Sequence, residues 1–141
     1  MIRKRTIPFL AATVLAAVAA GAAAAAGGPN HASLVIRHQT RGCHSWSLNG
    51  GAFTPAQRVA LKTGATITIS NNDVMPHTLV QTSGPKVIVT GPKMNHMSAI
   101  ARVSFRHKGV YVFTTKAGED YVAGIKTVGP DNVLRLKVTV A

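Results

Sequence analysis

The chain has 141 residues, 46% hydrophobic and 14% charged, which excludes two full domains and equally excludes a disordered basic tail. Sixteen Lys and Arg against four Asp and Glu give a formal charge of +12, which implies an anionic neighbour: nucleic acid, an acidic protein or a charged envelope surface. With four carboxylates, no G-x-S-x-G and no H-E-x-x-H, the chain lacks the groups for acid–base enzymology, and only small-molecule redox chemistry at an open metal position stays open to it as an enzyme.

Residues Met1 to Ala26 read as a secretory signal. A basic start (Arg3, Lys4, Arg5) leads into an apolar stretch and then a run of alanines that offers several A-x-A cleavage sites before Gly27. The rival reading is an uncleaved anchor, since Ile7 to Ala26 approaches the length of a bilayer span. Richness in Ala rather than Leu, and the small-residue tail, favour cleavage. The expectation is an exported, periplasmic or cell-surface domain over residues 32–141, a monomer whose formal charge falls to +9 once Arg3, Lys4 and Arg5 are removed.

Along that domain, Ala32 to Arg37 reads as a first strand, and Arg41 to Thr54, rich in Gly and Asn, as a loop. Val59 to Lys62 is a short strand. After Thr63-Gly64 the alternation of Ala65, Ile67 and Ile69 with Thr66, Thr68 and Ser70 has the period of two that turns one face to a core and one to water. Asn71-Asn72-Asp73 ends that strand. His77 to Gln81 and Lys86 to Thr90 flank a Ser83-Gly84-Pro85 turn, and Ser98 to Arg106 alternates again. Val110 to Thr115 follows the His107-Lys108-Gly109 turn. The last strand sets Leu134, Leu136, Val138 and Val140 against Arg135, Lys137 and Thr139. Seven or eight short strands at spacings of about ten residues, with no sustained helical period, predict a Greek-key β-sandwich. If strand direction alternates, the loops Arg41–Thr54, Asn71–His77, Gly91–Met97 and Lys116–Asn132 share one end.

Those loops carry the unusual side chains. Cys43 is the sole cysteine, and an exported chain normally pairs its cysteines or has none. It can be an inert buried residue, half of an intermolecular disulfide, a nucleophile or a metal thiolate. Near it in the sequence or in the other candidate loops are His44, Met75, His77, Met94, His96 and Met97, whereas His31, His38 and His107 fall outside. Thiolate, imidazole and thioether together suit copper, while a structural zinc site would ask for a second thiol that this chain does not have.

At Asn71-Asn72-Asp73-Val74-Met75-Pro76-His77 the chain resembles the cupredoxin family, whose N-x-D-x-x-P-H segment ends in a copper-ligating His at the start of a strand. Gly109-Val110-Tyr111-Val112-Phe113 resembles the family's G-x-Y-x-F strand. The resemblance implies a cupredoxin-like sandwich and His77 as a ligand. It departs from the family where the Cys-His-Met ligand loop should follow: here the chain runs Thr114-Thr115-Lys116-Ala117-Gly118-Glu119. The layout therefore resembles a divergent exported subgroup with a displaced ligand loop.

Cys43 is then the thiolate candidate. His44 is a second nitrogen provided the backbone turns after Gly42, since adjacent strand side chains face opposite ways. Against this stands a hydrogen-bonded loop His. The Met94-Asn95-His96-Met97 cluster supplies a weak axial or third equatorial ligand, or plugs core gaps. Glu119 is a hard axial candidate or an exposed surface acid. Trp46 is expected to cover the site.

The leading expectation is single-electron transfer through a mononuclear Cys/His copper site, the basic surface steering the protein to an acidic redox partner or an anionic envelope. The alternative is a copper chaperone or scavenger that binds Cu(I) without electron transfer. Specific nucleic-acid binding is not expected, because the basic residues are scattered and aromatics make up only 5% of the chain, too few for stacking platforms.

Overall fold

The computed structural model describes residues 28–38, 44–118 and 133–141. The leader expected over Met1 to Ala26, Cys43 and Glu119 lie outside the described residues. Among the described residues there is no helix, and so none long and apolar enough to cross a membrane.

Eleven strands run in order: β1 (His31–His38), β2 (His44–Leu48), β3 (Phe53–Thr54), β4 (Ala56–Leu61), β5 (Thr66–Asn72), β6 (His77–Ser83), β7 (Ile88–Thr90), β8 (Lys93–Met94), β9 (Ala99–Ser104), β10 (Gly109–Ala117) and β11 (Arg135–Val140). They build two sheets, one in the order β3-β2-β1-β5-β9-β7 and the other β4-β11-β10-β6-β8, and the chain passes repeatedly from one to the other. The Greek-key β-sandwich expected from the alternating patterns is the fold.

Period-two patterning explains the core. Ala32, Leu34 and Ile36 of β1, Ile67 and Ile69 of β5, and Leu136, Val138 and Val140 of β11 all point inward and are buried. Phe105 sits at the centre of the aromatic cluster, edge-on to Tyr111 at 5.0 Å and to Phe113 at 6.1 Å between ring centroids. The Tyr111 hydroxyl donates to the His107 carbonyl, so its polar tip is satisfied while the ring is buried.

Two expectations need correction. The segment Arg41–Thr54 contains β2 and β3 rather than being a loop throughout. Four consecutive β2 residues, His44 to Trp46 and Ser47, are buried, so no inside–outside alternation marks the strand in the sequence. Strand direction also does not simply alternate: β1 lies parallel to β5 and β4 parallel to β11. The Asn49–Gly51 turn, where the Asn49 N–H donates to Ser33 O, consequently falls towards the opposite end from His44.

The described strand ends that border the other expected loops do gather at one pole. His38 pairs with His44 at the end of the β1–β2 ladder, Arg37 with Asn72 on β1–β5, Asn71 with Ala99 on β5–β9, and His77 with both Met94 and Ala117.

Candidate metal centre

The inward series on β5 runs Ile67, Ile69 and then Asn71, so an amide takes the place of the next aliphatic group where the strand reaches the pole. Asn71 is fully buried and ties the pole together. Its Nδ2 donates to Met75 O at 2.9 Å and to Met94 O at 3.0 Å, and its Oδ1 accepts the Asp73 N–H at 3.0 Å. These bonds fold the 71–76 loop back on itself, an Asx arrangement that turns the Asp73 carboxylate inward.

Asp73 is the only carboxylate side chain among the described residues, and it is wholly buried. Three imidazoles and a backbone amide surround it. Oδ2 lies 3.0 Å from His77 Nε2 and 3.8 Å from His44 Nδ1; Oδ1 lies 3.4 Å from His38 Nδ1 and accepts the Met75 N–H at 3.2 Å. Burial alone would push this carboxyl up. The hydrogen bond and charge of His77, the Met75 amide and the charge of His44 outweigh it and hold the carboxyl below its ordinary value, so it is ionised at neutral pH.

His77 is completely buried at the start of β6, and its second ring nitrogen, Nδ1, lies 3.0 Å from Thr115 Oγ1 on β10. His44, at the start of β2, is buried and meets His77 edge-on, ring centroids 4.8 Å apart and planes at 89°. Trp46 follows two residues later on the same inward face and lies one layer deeper, donating its indole N–H to Pro55 O at 3.1 Å. The expected cover over the site is thus part of the core beneath it.

One ligand atom each from His44, Asp73 and His77 falls within 4.8 Å of the other two. A first-row ion with bonds of about 2.0–2.2 Å holds neighbouring donors roughly 3–4 Å apart. The 3.0 and 3.8 Å separations from Asp73 Oδ2 match that spacing. Two imidazoles and a carboxylate are acceptable to Cu(II), Zn(II) or Fe(II), and the residues therefore fit a transition-metal ion. Thr115 is placed to orient His77 and fix its tautomer, leaving Nε2 towards the other donors.

The remaining candidates are distributed differently. Met94 is buried in the hydrophobic core, its backbone carbonyl bonded to Asn71. His96 is exposed, with Nδ1 2.8 Å from Met97 O, and Met97 is half exposed. Cys43 and Glu119 lie outside the described residues; Cys43 directly precedes His44 in the sequence, and Glu119 directly follows Gly118, whose N–H donates to Pro76 O at this pole. Asp73, Asn71, His38 and Thr115 are site residues beyond those expected from the sequence. Asp73 alone carried a signal, as the acid inside N-x-D-x-x-P-H.

No protein-family model matches the chain, and no curated protein matches it in sequence. Solved structures similar to it include the cysteine protease inhibitor EhICP2 from Entamoeba histolytica, with a TM-score of 0.41 and 10% identity over 81% of this chain and 100% of that one. A mutant of amicyanin in its Cu(I) form gives a TM-score of 0.38 and 16% identity over 77% and 82%. The Cu-containing nitrite reductase from Thermus scotoductus SA-01 gives 0.38 and 19% over 74% of this chain and 21% of that one. Likeness this distant extends to an inhibitor and to copper proteins alike and transfers no function.

Proposed function

We propose that this protein is an exported copper protein that passes single electrons. The observation that carries the reading is the buried convergence of His44 and His77 on one carboxylate at the loop pole. In this reading His44 and His77 would hold the ion, Cys43 would add a thiolate from the position before His44, and Asp73 would take the role considered for Met94, Met97 and Glu119. Copper in such a donor set supplies reversible exchange between Cu(I) and Cu(II).

The chain's own contribution is rigidity and dryness. Thr115 holds the His77 ring, Asn71 holds the loop that carries Asp73, and the burial of all three donor residues keeps bulk water from reorganising around the ion.

Exported protein loaded with Cu(II) should show an intense sulfur-to-copper charge-transfer band that disappears in Cys43→Ser, while His77→Ala and His44→Ala should each weaken copper binding. A bound but colourless Cu(II) would overturn electron transfer through a thiolate. A second reading, copper handling without electron transfer, is favoured by the exposure of His96 and Met97 at the same pole, where thioether and imidazole could receive Cu(I). It requires Cu(I) to be held far more tightly than Cu(II) and released to a competing chelator.

A further inference from the structure

The outer face of the β4-β11-β10-β6-β8 sheet has a charge pattern that folding does not explain. Arg58 on β4 and Lys137 on β11 are exposed Cα partners in parallel register, so two cations stand directly opposite each other. Like charges in that position destabilise a sheet. Arg135 is the next outward residue along β11, and Lys116 of β10 and Lys93 of β8 flank Thr78, one rung in from His77 at the pole. All five are exposed, and no carboxylate among the described residues faces them, since Asp73 is buried with its histidines.

Between the opposed cations lies a cleft of about 250 Å³ lined by Arg58, Val59, Ala60, Lys137 and Thr139. The small side chain of Ala60 leaves the room, and a guanidinium, an ammonium and a hydroxyl border it. That is the chemistry of a phosphate-sized anion.

We infer that this sheet face docks on an anionic phospholipid surface, with the Arg58–Lys137 cleft taking a lipid phosphate. A protein partner would need aromatic or other large anchors at the centre of the patch, and among the described residues the face offers Val80, Val110, Val112 and small residues around its cations. Nucleic acid would need stacking platforms, and among its described residues the face has none. A flat pleated face lined with Lys and Arg matches a plane of phosphates, where each cation near the surface strengthens binding by about fivefold. The proposal does not depend on the metal.

The test is vesicle co-sedimentation of the exported protein with phosphatidylcholine alone or mixed with equal phosphatidylglycerol. Binding is expected to the mixed vesicles only, to weaken with salt, and to fall roughly 25-fold in R58Q/K137Q. The control R102Q/R106Q, the same charge change beside the other sheet, should stay close to the parent protein. R58Q, by relieving the opposed cations, should melt no lower than the parent, so lost binding is not lost folding. Equal loss in both double variants, equal binding to both vesicles, or no binding at all would each overturn the assignment.

Discussion

The rings of His44 and His77 meet at right angles with their centroids 4.8 Å apart, yet the two depend on Asp73 to different degrees. His77 lies 3.0 Å from the carboxylate and His44 3.8 Å. Removing His77 takes the nearest imidazole from a buried anion, whereas removing His44 takes away a more distant one. In metal-free protein His77→Ala should cost about 3 kcal/mol or more of unfolding free energy and His44→Ala clearly less, as read from denaturant midpoints. Equal losses would mean that the two rings share the anion evenly.

Asp73→Asn tests the anion itself. Its carboxyl is depressed in the folded state, so the stability it contributes is whole above the unfolded value of about 4 and vanishes as the pH drops through the lower folded value. Metal-free D73N should be less stable than the parent at neutral pH, with the gap narrowing as the pH falls below about 4. Denaturation curves across that range measure it. A gap that stayed constant into acid would show that the carboxylate's charge is not what stabilises the pole.

Thr115→Val removes the group that fixes His77 while keeping the side chain's shape. Copper affinity should fall about 10- to 100-fold, as for the loss of other outer partners of a ligating imidazole, with little change in thermal stability. Competition with a chelator of known affinity reads this directly. Unchanged affinity would free His77 from any role for its Nδ1.

Gly84 and Gly50 both have positive φ, at 101° and 75°, but differ in their surroundings. A Cβ at Gly84 would collide with the Val110 carbonyl, whereas nothing stands within 4 Å of one at Gly50. Gly84→Ala should therefore cost at least about 2 kcal/mol and Gly50→Ala about 1 kcal/mol, measured by thermal unfolding.

The strands that alternate cleanly could be read from residue order alone: Thr66 to Ser70, Ala101 to Phe105 and Leu134 to Val140 each bury every second side chain. β2 could not, because Ser45 and Ser47 are buried as fully as His44 and Trp46. At the pole, His77 was legible from the N-x-D-x-x-P-H segment. The role of Asp73 was not, because it depends on the β1–β5 and β1–β2 registers that carry His38 and His44 to within reach of it. Met94 offered a thioether by composition, and only the β6–β8 pairing shows that the side chain is used to fill the core.

β11 lies between β4 and β10, pairing with Ala56–Leu61 on one flank and with Gly109–Thr114 on the other. Until residues 135–140 are inserted, that sheet is two unconnected halves. A polypeptide emerging in order from its amino end therefore cannot complete the sandwich before residues 135–140 have emerged, and the pairing of β4 with β11 closes a loop of more than seventy residues.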